Sequence, residues 1–319
     1  MRRMYFAMVI IAALLLIMPE HSFAASGTAA RGTTTAQFLK LPVGARSIAM
    51  GEAFTAACED ASALYWNPGS IGLLRRKEFS FSHSEWIAGI RYEYASYVQP
   101  IRGVGNFGVS IRYLNVGDGL VYYDRNGVGG DDQFGASDLA VSVAYGKNIM
   151  SNIYLGANLK YISSSIAPGK DYGKSAQTFA VDLGLYIKAP VEQNKLSFGV
   201  AIRDIGPDMT YLTTPAPLPR TIVFGTAYKM FNENMTVAFD IVLPNDNEIS
   251  YHLGYEYWLT KLFAVRVGYT TGRNDLGGAV GLAAGLGANW LGWSLDYAWQ
   301  PFGVLAESGV HRVSLSTRF

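Results

Sequence analysis

From Glu78 onward the chain alternates. Phe107, Val109, Ile111 and Tyr113 are apolar, with Gly108, Ser110 and Arg112 between them. Ile153, Leu155, Ala157, Leu159 and Tyr161 alternate with Gly156, Asn158 and Lys160. Phe179, Val181, Leu183, Leu185 and Ile187 oppose Asp182, Gly184 and Lys188. The same reading holds around Leu139–Tyr145, Leu196–Ile202, Met235–Ile241, Tyr251–Tyr257, Phe263–Tyr269 and Trp293–Trp299. A period of two predicts β-strands with one apolar and one wet face. Adding Glu78–Ala88, Arg91–Gln99, Arg220–Lys229, Ala279–Ala288 and the final strand gives about 14 strands, most near the ~9–11 residues a tilted strand needs to cross a bilayer. The first two of these additions are mixed in pattern, which leaves their register open.

Alternation alone fits either a soluble sandwich or a membrane barrel. The charges Lys160, Asp182, Arg203, Asp240, Arg266 and Asp296 sit mid-strand on the non-apolar face. Links such as Gly146–Asn152 and Ala189–Lys195 are short, which suits hairpin succession better than Greek-key crossings. The expected fold is therefore an all-β transmembrane barrel of about 14 antiparallel strands, lipid outside and a polar lumen inside. The closing strand fits this picture: Val313, Leu315 and Phe319 on one side, Arg312, Ser314, Ser316 and Arg318 on the other. It is expected to pair with Glu78–Ala88, with Arg312 and Arg318 inside and Leu315 and Phe319 toward lipid.

Composition agrees. Only 16% of residues are charged, against roughly 25% in soluble proteins, while Tyr numbers 20 and Gly 35. A net charge of +1 argues against nucleic acid as a partner. A single cysteine, Cys58, excludes an intramolecular disulfide framework and reads as a buried small residue. Arg2 and Arg3 before the apolar run Met8–Met18, then Ser22-Phe23-Ala24, have the layout of a signal peptide over residues 1–24. The run is short for an uncleaved anchor. Export to the bacterial outer membrane follows as the expected location.

Gly277–Leu295 carries no charge over 19 residues, and Gly277, Gly281 and Gly285 have the spacing of a helix-dimer motif. So many glycines make a poor helix. A strand with a nearly bare inner face is expected instead, leaving room for something inside. Residues 25–77 do not alternate. They predict mixed helical structure ending before Pro68, in a segment too small for a core of its own: a separate domain, a tail or a plug.

Phe38-Leu39 through Arg46, then Met50-Gly51-Glu52-Ala53, then Asp60-Ala61-Ser62-Ala63-Leu64-Tyr65-Trp66-Asn67-Pro68-Gly69 resemble the N-terminal motifs of the PorV/PorQ family, part of the wider FadL-like group of outer-membrane barrels. Leu295–Ala298 and His311–Leu315 extend the resemblance to the closing hairpin. Gly69 stands where relatives often carry Ala. The resemblance implies a barrel over residues 78–319 with residues 25–77 inside it as a hatch. Arg46, Gly51, Asp60, Asn67, Pro68 and Gly69 would form the plug motif, and the stretch around Asn67 would pack on the bare wall of Gly277, Gly281 and Gly285. Phe319 would be the signal read by the barrel assembly machinery. It also implies a role in, or accessory to, type IX-like secretion, with translocon and exported cargo as partners. The alternative it leaves open is a FadL-like channel for hydrophobic small molecules such as long-chain fatty acids, which needs an apolar cavity between plug and wall. A barrel of purely structural role is a further alternative.

Catalytic chemistry is not predicted, and neither is a cofactor. His21, His83, His252 and His311 lie far apart without metal-ligand spacing. Gly103-x-Gly105-x-x-Gly108 precedes a strand and so reads as a turn. The acidic loop Asp124–Asp132 lacks EF-hand spacing and reads as a surface loop. The proline-rich Gly206–Pro219 is either a stiff docking loop or a lid. The lumen charges are expected to pair across strands and with the plug.

Overall fold

The computed structural model describes residues 30–86, 89–117, 119–123, 129–171, 173–211, 213–271, 281–301 and 309–319. The segment 1–24 expected to be a signal peptide, the Asp124–Asn126 part of the acidic loop and Gly277 lie outside them. Fourteen antiparallel strands form one closed barrel: β1 Glu78–Glu85, β2 Arg91–Ile101, β3 Gly105–Asn115, β4 Ala136–Met150, β5 Ile153–Ile166, β6 Lys174–Lys188, β7 Leu196–Ile205, β8 Thr221–Met230, β9 Met235–Pro244, β10 Ser250–Trp258, β11 Phe263–Thr270, β12 Leu282–Trp290, β13 Trp293–Gln300 and β14 Val310–Arg318. Strand β14 closes on β1, from Glu78 opposite Arg318 to Glu85 opposite His311. One barrel end carries tight turns, such as Phe231–Asn234 and Leu291-Gly292. The other carries the longer links, including a ribbon of Leu120–Tyr123 with Gly129–Phe134.

Burial is inverted relative to a soluble protein. Phe179 and Leu286 are each 58% exposed and Val143 56%, whereas Lys160 and Arg312 are 2% exposed. The apolar face of each strand meets lipid, and the polar face meets a filled lumen. Arg312 points inward to Ser84 and Gln300. Phe319 lies outside, its main-chain amide bonded to the Lys77 carbonyl and its ring stacked on Tyr97.

Residues 30–77 fill the lumen as a chain of single turns: a 3-10 turn at Gln37–Lys40, α1 Ala45–Ala49, α2 Ala63–Trp66 and a 3-10 turn at Pro68–Leu73. Helix α2 stops before Pro68, where Asn67 is extended and its Oδ1 accepts from Gly69 N at 3.0 Å. The helical stretches are shorter than the sequence suggests because neighbouring segments bond to the wall instead of to each other. The apolar core lies between plug and wall: Phe54, Leu64, Trp66 and Ile71 pack with Tyr92, Tyr94, Ala144 and Ala227.

Contact is closest where glycine faces glycine. Gly51 has φ +61°, and a β-carbon on it would stand 2.7 Å from the Leu253 carbonyl oxygen. Opposite, a β-carbon on Gly268 would run into the Met50–Gly51 main chain. Gly268→Val is therefore expected to cost about 1–3 kcal/mol or more, read as a lower urea midpoint of the refolded barrel. Gly119→Val, where nothing lies within 4 Å, is expected to leave the midpoint unchanged.

Candidate functional site: the plug and the cavities on either side of it

The plug is held by lumen side chains from most of the wall. Arg46, on α1, grips Glu256 of β10 with two bonds, Nε–Oε2 at 2.8 Å and Nη2–Oε1 at 2.7 Å. Its Nη1 reaches Asp60 at 3.2 Å. Glu256 also accepts from Arg266 of β11 at 2.7 Å, and Arg266 reaches Asp296 of β13 at 2.8 Å. The alternating signs let buried charges neutralise one another, which burial demands. Arg46 and Asp60, predicted from the plug motif, thus meet in one network with Glu256, Arg266 and Asp296.

Asn67 is fully buried and anchored on the opposite sector. Its Nδ2 donates to Thr55 O and to Leu185 O, both at 3.0 Å. Pro68 and Gly69 press on Gly156 and Gly184. This differs from the expected packing of Asn67 on Gly277, Gly281 and Gly285. A β-carbon at Gly285 would meet Ala49, while one at Gly281 would meet Thr270 O of the neighbouring strand. The signal was broader than the run that suggested it: bare inward positions recur at Gly184, Gly199, Gly225, Gly254 and Gly268 as well. Each allows plug main chain to approach wall main chain.

Other anchors carried no motif. Asp240 Oδ2 accepts from the amides of Phe54 at 3.0 Å and Thr55 at 2.9 Å. Asn106 donates to the carbonyls of Ile71 and Leu74. Thr270 and Ser314 bond to Gly51 O and Ala45 N. At the loop end Asp246 gathers Lys40, Thr34 and Gln37. Burial opposes ionisation of Asp246, yet these donors hold its carboxyl below the usual range. At the turn end Glu59 bridges Lys229 at 2.7 Å and Lys188 at 3.3 Å. Burial alone would raise its pKa, but the two ammonium groups hold it down from 4.5 to about 2. Burial pushes the Cys58 thiol up, and its Sγ sits 3.2 Å from Ser70 Oγ. A lone, protonated thiol of this kind is a packing residue.

Two cavities flank the plug. The turn-end cavity, about 580 Å³, has charged walls of both signs, among them Arg46, Lys229, Arg318, Glu59, Glu256 and Asp296. The loop-end cavity, about 290 Å³, is bounded by Leu39, Tyr65 and Trp66 of the plug and by Val223, Val242, Arg203 and Asp240 of the wall. Arg203 lies over the Tyr65 and Trp66 rings at 5.0 and 5.8 Å. Beside it Lys160 pairs with Asp182 at 2.6 Å and with Asp204. The histidines stay apart: His83 meets Glu93, His252 meets Ser250 and His311 meets Tyr297. Among the described residues no cluster of His, Cys, Asp or Glu has the grouping to hold a metal.

Glu256→Ala would leave Arg46 and Arg266 facing each other in a buried site. It is expected to cost about 3–5 kcal/mol, measured by urea unfolding in detergent. Glu59 is partly exposed, so Glu59→Gln is expected to cost no more than about 1 kcal/mol. Its folded pKa is depressed, so its contribution is present above pH 4.5 and is lost as pH falls from 4.5 toward 2. Stability should decline over that interval, and the decline should be smaller in Glu59→Gln.

A profile for an uncharacterised protein family, UPF0164, matches residues 17–215. No functionally curated protein matches the chain by sequence. Among solved structures, the Ralstonia pickettii toluene transporter TbuX superposes with a TM-score of 0.59 at 16% identity, covering 87% of this chain and 98% of that one. The Pseudomonas putida toluene transporter TodX gives 0.56 at 14% identity, with 86% and 96% covered. A Pseudomonas aeruginosa FadL homologue gives 0.57 at 10% identity, with 87% and 96% covered. The barrel is therefore FadL-like in fold. The matched profile spans more than half of the sequence, and the chain belongs to the uncharacterised protein family UPF0164.

Proposed function

We propose that this protein is an outer-membrane channel for small hydrophobic molecules, closed at rest by its own N-terminal segment. The observation that carries the reading is the loop-end cavity of about 290 Å³ between plug and wall. Leu39, Tyr65 and Trp66 of the plug and Val223 and Val242 of the wall give it an apolar and aromatic patch, beside the charged groups of Glu52, Arg203, Asp204 and Asp240. An apolar and aromatic patch beside polar groups that can orient a ligand is a usual feature of a small-molecule site. The solved barrels of this fold include transporters of toluene, which supports the same ligand class.

The secretion role implied by the PorV/PorQ resemblance has less support. It would use an accessible docking element, for which Gly206–Pro219 was the candidate. Met209 and Leu218 of that segment are instead buried on Phe38, Leu39 and Ile162. Pro217 O accepts from Thr35 N at 3.0 Å. These contacts tie the segment to the plug, while Pro207, Asp208, Thr213, Thr214, Pro215 and Pro217 stay exposed.

Cells expressing the protein are expected to accumulate labelled toluene or a long-chain fatty acid several-fold faster than cells without it. Val223→Trp, which fills the cavity, is expected to abolish the gain while the protein still fractionates with the outer membrane. Unchanged uptake, together with recovery of a translocon subunit or secreted cargo in pull-downs, would favour the secretion role instead.

A further inference from the structure

The two cavities are separated by very little. On the β7–β9 side of the lumen the partition is the main chain of Phe54, Thr55 and Ala56. Thr55 lines the loop-end cavity and Ala56 the turn-end cavity. At this level Gly199 on β7 and Gly225 on β8 project no side chain inward, and β9 presents Asp240 opposite Gly225. A β-carbon at Gly225 would stand 2.9 Å from Thr55 Cβ, and one at Gly199 would stand 2.9 Å from the Thr55 carbonyl carbon. The bore here is therefore closed by one turn of plug, in which the amides of Ala57 and Cys58 both donate to the Phe54 carbonyl.

That turn is pinned to its surroundings by few groups. Asp240 Oδ2 takes the amides of Phe54 and Thr55. Asn67 Nδ2 takes Thr55 O, and Ser197 Oγ takes Ala56 O, each at 3.0 Å. Asp240 is 1% exposed, and its second oxygen, Oδ1, is buried with no hydrogen-bond partner. A buried carboxylate oxygen left unpaired beside a cavity is costly. It offers an acceptor to a solute arriving from the loop end.

We propose that Phe54–Ala56 is a septum, that Asp240 is its latch, and that its displacement joins the two cavities into a path for small water-soluble solutes. The solute class follows from the turn-end cavity, whose walls present both charge signs. Balanced charge suits neutral or zwitterionic polar molecules better than an apolar one or an ion of either sign. This path is additional to hydrophobic uptake and has a separate readout.

The test uses the purified full-length protein in planar bilayers and in liposomes. Loss of hydrogen bonds to a charged acceptor shifts an opening equilibrium by about ten-fold or more. Asp240→Ala is therefore expected to raise conductance by at least about ten-fold and to speed arabinose-driven liposome swelling. Asp240→Asn keeps an acceptor oxygen and is expected to stay near the wild-type level. Asn106→Ala cuts a plug tether on β3 and is also expected to stay near wild type. Equal opening by Asn106→Ala would mean the plug moves as a body and would overturn the septum. A folded but closed Asp240→Ala would overturn it too. Conductance without sugar entry would overturn the solute class. If Asp240→Ala does not fold, Ser197→Ala, which frees the Ala56 carbonyl, should give a smaller rise, and no rise would sink the proposal.

Discussion

Everything in this barrel depends on an exchange between wall side chains and plug main chain. A 14-stranded barrel encloses more space than its own inward side chains fill. The N-terminal segment is too short to build a core by itself. Each supplies what the other lacks. Asp240, Asn106, Ser197, Thr270 and Ser314 offer donors and acceptors to a backbone that makes only single helical turns. In return the plug removes water from around Glu256, Arg266 and Asp296 while Arg46 supplies a countercharge.

The exchange is uneven around the circumference. Toward β4–β6 the Pro68–Leu73 turn and Asn67 press on Gly146, Gly156 and Gly184. Toward β8 and β9 the turn Phe54–Ala56 lies between the two cavities, Thr55 lining one and Ala56 the other. Any traffic through the lumen therefore belongs to the second sector. There the rings of Tyr65 and Trp66, the turn Phe54–Ala56 and the Asp240 carboxylate stand close together.

Much of the fold was legible in the sequence. Alternation located the strands because one face meets lipid along the full height of the wall and the other never does. Leu139–Tyr145 and Phe179–Ile187 show this directly. The mid-strand charges, Lys160 and Asp182 among them, could be read as inward-facing, and the pairing expected of them is supplied by Asp204 for Lys160 and Asn158 for Asp182. The Asn67-Pro68 block marked a buried turn. Less legible was where that turn docks, because glycines recur on so many strands that no single bare patch stands out. Asp240, Asp246 and Asn106 carried no motif, since an isolated polar residue on a strand looks the same whether it meets water, another side chain or a plug amide.

By itself the sequence determined the strands, their faces and the special character of residues 25–77, because these follow from local period and from turn chemistry. Only the tertiary structure decided which plug atom meets which wall atom. Those pairings join residues such as Arg46 and Glu256, 210 positions apart, across a lumen whose registry is set by barrel closure. The division of the lumen into two cavities arises in the same way. A local pattern can say that a strand is bare, but the position of a plug against it depends on all the tethers at once.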